Sequence, residues 1–408
     1  MTPRPYDAER DRAAARRVWH EIGWLPKGME EDLDRFLARS RTLVAEMDGE
    51  AECVVVTTPA AMLHLKRDIE ATCVACVTTS HVARKRGLAQ RLTAASVARD
   101  AAAGARLAVL GMFEQGFYNR VGFGTGAYVR AISFDPAHLR VPTPSRAPQR
   151  VSKDDWEEVH AARLRRLRRH GGVNLLDAEN TRMEMRYDEN AFGLGFRDGP
   201  DGSLSHLVWV WPKSMDEGPY RAELTFATRE QLLELLGVLR SLGEQVRLVS
   251  FREPPGIQMQ DLLAQPFKHR QVTEDGKFEA RMRCAAYWQA RICDLPGCLQ
   301  ATHLPGPSVR FHLRLEDPIA EQLDEQAPWR GCGGDWLVTL GPECGASRGE
   351  DPSLPCLEAT VGSFTRLWLG VQPATGLAAT DHLRAPESLL EALDEAVRLP
   401  PPQPDWDF

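Results

Sequence analysis

The stretch from Cys76 to Gly124 constrains this chain more than any other. An apolar strand ending Cys76-Val77-Thr78 runs into Arg84-Lys85-Arg86-Gly87-Leu88-Ala89. A helix is then predicted over Leu88–Ala103, stopped at Gly104. An Arg-x-x-Gly-x-Ala turn between a strand and an amphipathic helix is a device for holding a pyrophosphate. Amides at a helix start face the anion, the helix dipole attracts it, and Arg84, Lys85 and Arg86 add cationic charge. Gly87 lets the backbone come close. A short buried strand, Leu107-Ala108-Val109-Leu110, and a segment carrying Tyr118 follow.

A chain of 408 residues is long enough for two or three domains. Its 43% hydrophobic and 26% charged residues are those of an ordinary globular protein. A net charge of -7 gives no reason to expect a nucleic acid or an anionic membrane as partner, and it suits a cationic substrate. The opening Met1-Thr2-Pro3-Arg4-Pro5-Tyr6 carries no apolar leader, and no apolar run is long enough to span a bilayer. A soluble, cytoplasmic protein is expected. Nine cysteines without a framework suit reduced thiols. Cys73 and Cys76 have redox-pair spacing but sit in strand sequence and read as small buried hydrophobes. Cys293, Cys298, Cys332, Cys344 and Cys356 have no histidine at ligand spacing, so no metal is expected.

Residues 10–40 read as helical, Arg41–Thr57 as a hairpin turning at Asp48-Gly49, and Ala127–Phe134 as a strand completing a first α/β unit. Pro142–Pro148 reads as a linker. A second unit opens with a capping pattern at Ser152 and Asp155. It continues through a solvated helix with Arg163, Arg165, Arg166, Arg168 and Arg169. A strand at Leu207–Trp211, a helix at Thr228–Leu242 and a strand at Val246–Phe251 repeat the order of the first unit without its glycine turn. A third unit starts near Pro296, with strands at Val309–Leu315, Trp336–Leu340 and Gly362–Gly370, then helices at Ala374–Leu383 and Pro386–Val397. The chain closes on a proline-stiffened tail, Pro400 to Phe408, whose roughly nine residues reach about 28 Å at the polyproline rise.

Three pieces in this order, Arg84–Ala89, Glu114–Gly124 with Tyr118, and Gly362–Gly370 with a terminal phenylalanine, resemble the enhanced-intracellular-survival (Eis) acetyltransferases of the GNAT superfamily. The resemblance implies an α/β (α+β) architecture of tandem GNAT domains, the second degenerate, followed by a sterol-carrier-protein-like domain. Boundaries at 1–145, 146–295 and 296–408 follow. It also implies acetyl-CoA as co-substrate, an aminoglycoside- or polyamine-like amine as acceptor, and a homo-oligomer, a hexamer. Cys76, Val77, Thr78, Arg84, Lys85, Arg86, Gly87, Leu88 and Ala89 match the acetyl-CoA contacts. Tyr118 matches the general acid, and the Phe408 carboxylate matches the base. Asn119 and Val121 stand where the family has Gly and Phe, and the sequence around Trp19–Trp24 does not reproduce its aminoglycoside pocket.

The chemistry asks for these groups. An amine at neutral pH is mostly protonated, so a base must take its proton, and the departing thiolate needs an acid. The Val77 amide is the expected oxyanion donor. Tyr118 is a donor of suitable basicity for a thiolate. Glu21, Trp24, Trp406 and Asp407 are expected at the acceptor. Acetylation of protein lysines and non-catalytic binding of a hydrophobic ligand are the alternatives, and the intact Arg84–Ala89 turn argues against the second.

Overall fold

The computed structural model describes residues 3–406. The chain divides into two compact units, one of Met1–Ala127, Arg169–Asp177 and Ala286–Phe408, the other of Tyr128–Arg168 and Ala178–Ala285. These breaks differ from the boundaries expected at 145/146 and 295/296, because the chain leaves the first unit and returns to it twice.

The first unit opens with β1 (Arg4–Pro5), α1 (Ala8–Glu21), α2 (Glu30–Arg39), β2 (Arg41–Met47), β3 (Glu50–His64) and β4 (Arg67–Thr79). It continues with α3 (Leu88–Ala102), β5 (Leu107–Gly111) and β6 (Gly124–Thr125). Asp7 caps α1 by accepting from the Glu9 and Arg10 amides. The sheet order is β1-β2-β3-β4-β5, then Trp288–Ile292, then β6. Only β4 and β5 run parallel, because α3 carries the chain across between them. α3 covers one face through Leu88, Leu92 and Val97, packed with Val55, Val74, Leu110 and Phe123. Asp100, on α3 and 1% exposed, accepts from the hydroxyls of Thr57 and Thr72 and so pins the helix to β3 and β4.

Two expectations change here. Val129–Phe134 belongs to the sheet of the second unit, where it pairs with Val249–Arg252 and Arg281–Ala285. Although expected to complete the first unit, it does not; the strand beside β5 there is Trp288–Ile292, all five residues of which are buried. Both edges of that strand are paired, as burial of its backbone requires. Gly362–Gly370 is not a strand. Val361–Trp368 is a helix capped by the Thr360 side chain, with Val361, Phe364 and Leu367 on one buried stripe at helical spacing. It follows Cys356–Thr360 in a five-stranded sheet ordered Gly345–Arg348, Gly334–Leu340, Val309–Glu316, Cys356–Thr360 and Leu383–Arg384. Its Thr365 hydroxyl accepts from Ile292 N–H at 3.0 Å, against the strand beside β5.

The second unit is a seven-stranded mixed sheet whose core includes Phe134, Val208, Leu235, Leu239 and Phe251. Pro142–Pro148 does not join two units but lies inside this one, running over its surface, with Pro142 and Pro144 close against Gly237. The arginine-rich helix ends at Arg165, and Arg163 is not solvated. It is 1% exposed and ion-paired to Glu184 and Glu223. Among the described residues no helix is long and apolar enough to cross a membrane.

Candidate active site

The site begins with a bulge. β3 and β4 pair in antiparallel register, but Val56 faces Cys76 while the next residue, Thr57, faces Val74, leaving Ala75 extra. Parallel pairing of β4 with β5 ends at the same place, at Val74 with Leu110. Beyond it β4 runs on beside β3 alone. Ser80 N–H donates to Glu52 O at 2.9 Å. Counting back in twos along the register puts Thr78 and Cys76 in the positions bonded to β3. The N–H groups of Val77 and Thr79 therefore face the edge that β5 has left. The backbone of Cys76 faces β3, which removes it from the expected cofactor contacts. Desolvation pushes its part-buried thiol up to about 12, so it stays protonated at neutral pH.

A cleft of about 340 Å³ opens at this splayed edge. Val77, Thr78, Thr79, Arg84, Ala89 and Tyr118 line it, together with Ile22, Trp24, Phe113, Glu114 and Phe117. The turn above has the predicted form. Lys85 at φ 60° and Gly87 at φ 76° are left-handed, and α3 starts with no side-chain cap. Its first amides are thus free to receive an anion. Arg84, Lys85 and Arg86 are exposed, and no acidic side chain pairs with them among the described residues. Leu88 instead points into the core at 3% exposure, so its amide is its only route to a ligand. Free helix-start amides, unpaired cations and an open strand edge together fit a nucleotide thioester such as acetyl-CoA.

Tyr118 opens a 3-10 turn, Tyr118–Val121, and is 6% exposed. Its ring packs edge-on against Phe117 and Phe123. Its hydroxyl has no hydrogen-bond partner among the described residues, although the side chain lines the cleft. Burial, with the neighbouring Cys76 and Cys53, pushes it up to about 12 and keeps its proton on. The turn is held tightly. Asn119 Oδ1 accepts from Gly116 N–H at 3.0 Å, and its Nδ2 donates to Phe123 O at 2.9 Å. Arg291 donates to Val121 O and, at 2.7 Å, to Asp317. Gly122, at φ 83°, leaves no room for a side chain: a Cβ there would lie 2.6 Å from Arg291 Nη1. Sequence reasoning missed Arg291 and Asp317. A lone Arg and a lone Asp 26 residues apart give no local signal.

The expected acceptor residues divide. Trp24 lines the cleft and contacts Phe113, with ring centroids 5.3 Å apart. Glu21 does not line it. Its carboxylate accepts from His81 N–H at 2.8 Å and braces the connection after β4, because α1 ends facing that loop. Glu114 lines the cleft instead. Trp406 is an anchor, 2% exposed, whose carbonyl meets the Tyr287 hydroxyl at 3.5 Å. Tyr287 O in turn accepts from Met112 N–H, one residue before Phe113. Asp407 and Phe408 lie outside the described residues.

Residues 14–126 match a family model described as an acetyltransferase (GNAT) domain. Similar solved structures extend over the whole chain. A GCN5-related N-acetyltransferase from Kribbella flavida is 19% identical with a TM-score of 0.74, over 100% of this chain and 98% of that one. Eis1 from Mycobacterium abscessus is 15% identical with a TM-score of 0.75, over 100% of both chains. A GCN5-related N-acetyltransferase from Anabaena variabilis is 12% identical with a TM-score of 0.77, again over 100% of both. At such identities the likeness is one of fold. No curated protein matches the chain significantly. The chain carries a GNAT acetyltransferase domain and is an acyltransferase, of a domain class that takes its acyl group from acetyl-CoA.

Proposed function

We propose that this protein transfers acetyl from acetyl-CoA to a primary amine of a small molecule, with an aminoglycoside- or polyamine-like compound as the acceptor class. One observation carries the reading. Past the bulge at Ala75, Val77 lines the same cleft as Tyr118, together with Arg84 and Ala89 of the turn, whose helix start has no side-chain cap and whose three cations have no acidic partner among the described residues. In this reading the amides of Leu88 and Ala89 bind the pyrophosphate, with Arg84, Lys85 and Arg86 neutralising it. Val77 N–H donates to the thioester oxygen, where negative charge grows as the amine attacks the carbonyl carbon. As the C–S bond breaks, Tyr118 gives its proton to sulfur. Its hydroxyl is sheltered enough to hold that proton until then. The Phe408 carboxylate is proposed as the base, with Asp407 attracting a cationic acceptor and Glu114, Trp24 and Phe113 lining its approach.

The second unit supports the reading of a degenerate copy. It too has a strand, a helix and a parallel strand, at Tyr220–Thr225, Arg229–Ser241 and Val249–Arg252. That helix start, however, is closed by its own capping box of Thr228 and Gln231. The cap takes the Gln231 amide, and the Gln231 side chain takes those of Ala227 and Thr228, where α3 has no such side chains. A sterol-carrier-like character for residues 296–408, cytoplasmic action and assembly as a hexamer remain parts of the proposal. Light scattering that gave a monomer at micromolar concentration would count against the last. The activity itself is tested by free-thiol release from acetyl-CoA across a panel of aminoglycosides, polyamines and simple arylalkylamines. Amine-dependent release with an acetylated product is expected. No release above the amine-free rate with any member would overturn the reading.

A further inference from the structure

β3 is 15 residues long, and β2 covers it only as far as Thr57. Past that point the chain brings the Arg169–Asp177 segment back alongside. Val173–Leu175 pairs antiparallel with Ala60–Met62. Leu63 N–H donates to Gly172 O and Gly171 N–H donates to Leu63 O, both at 2.8 Å. On its outer edge this return strand receives the C-terminal tail. Gln403 N–H donates to His170 O at 3.0 Å, and Val173 N–H donates to Pro404 O at 2.9 Å.

The tail sequence fits this edge in one register. From Pro400 to Pro404 only Gln403 has an N–H, and it meets the His170 carbonyl. A slip of one residue, about 3.1 Å in polyproline form, would set a proline nitrogen against that acceptor. Gly171, at φ 85°, is where the tail crosses. A Cβ there would stand 2.5 Å from Gln403 N and 2.6 Å from Pro402 Cα, so the tail lies on bare backbone. The His170 ring secures the dock from behind. Its Nδ1 accepts from Leu65 N–H at 3.1 Å, which leaves Nε2–H to donate to Leu369 O at 2.9 Å. Two residues past Pro404, Trp406 is buried beside Tyr287 at the end of β5, next to the cleft-lining Phe113.

We infer that His170, Gly171 and Val173 form a dock that fixes the register of the tail and thereby sets where the chain end meets the acceptor amine. They are positioning residues, since none lines the cleft. The inference rests on the proposed participation of the tail in acetyl transfer.

The test compares full-length wild type with Gly171→Ala and Gln403→Pro. Gly49→Ala serves as control, because Gly49 has a similar φ of 89° but nothing within 4 Å of a Cβ. Hydrogen exchange of residues 399–406 should quicken in Gly171→Ala and Gln403→Pro and stay unchanged in Gly49→Ala. With an amine found to be a substrate, kcat should fall by about 10²-fold in the first two, the usual cost of a small misplacement of a reacting group. KM for acetyl-CoA should not move. Unchanged tail exchange in both variants overturns the dock. Quickened exchange with unchanged kcat overturns its role in the reaction. If wild type acetylates nothing, the proposed activity fails, while the exchange experiment still decides whether the dock holds the tail.

Discussion

Tyr118 sits in surroundings that keep its proton at neutral pH, with a hydroxyl raised to about 12 by burial and no partner among the described residues. Removing the hydroxyl leaves a ring that still packs on Phe117 and Phe123. Tyr118→Phe should therefore lower turnover by roughly 10²–10⁴-fold, the range for general acids, with acetyl-CoA affinity nearly unchanged. Steady-state kinetics and calorimetry check both halves. A residual rate within about twofold would remove Tyr118 as the acid. His64 makes the opposite kind of prediction. It is fully buried, stacked on Trp368 and bonded to Thr302, and burial with His170 nearby pushes it down to about 3. The unfolded chain takes up a proton below about 6.5 and the folded one does not, so stability should fall as pH drops from 6.5. The slope should be at most about 1.4 kcal/mol per pH unit from this group. Urea midpoints at pH 7 and pH 5 should show a smaller acid loss in His64→Phe than in wild type. An equal loss would place the titration elsewhere.

Among the elements, α3 differs from the helix Arg229–Ser241 in one respect that matters for anions. Both follow a strand and lead to a parallel neighbour, yet the start of α3 is open while the other is closed by Thr228 and Gln231. Gly87 shapes that opening at φ 76°, a conformation that a β-branched side chain resists. Gly87→Val should weaken acetyl-CoA binding at least about tenfold, or about 1.4 kcal/mol. Calorimetry on the folded variant measures it, and unchanged affinity would detach the turn from acetyl-CoA. The helix Val361–Trp368 teaches a related lesson. For Gly362–Gly370 a strand is expected, yet Val361, Phe364, Leu367 and Trp368 recur at the spacing of three and four residues that a helix requires, and the Thr360 cap starts it.

For the molecule as a whole, the discontinuity of the first unit is the dominant fact. Trp288–Ile292 completes a sheet begun more than a hundred residues earlier, and it brings Arg291 under the Tyr118 turn. Arg291 and Asp317 are 0% and 1% exposed, and Asp317 also accepts from the Cys332 amide. Asp317→Ala would strand a buried guanidinium, at a cost of about 3–5 kcal/mol. Denaturant unfolding should register that loss, together with lower turnover from a loosened Tyr118 turn. A loss below about 1 kcal/mol would mean that water reaches and solvates Arg291.

The strand–turn–helix of Cys76–Ala103, the glycine turn and the Tyr118 segment were legible because each depends on residues within one or two turns of one another. Backbone freedom at Gly87, helical spacing and the clustering of Arg84, Lys85 and Arg86 are local properties. The sequence determined an α/β acyltransferase domain and most of the cleft lining on that basis. Tertiary structure alone decided the rest. The extra residue at Ala75 turns Val77 outward and Cys76 inward, and it shows only against the register of β3. Glu21 was lost to His81 and Glu114 gained, because the direction of a side chain on α1 or past β5 depends on what packs behind it. Arg291 with Asp317, and Gln403 with His170, meet across 26 and more than two hundred residues. No period or propensity links such positions; only closure of the chain around a common core brings them together.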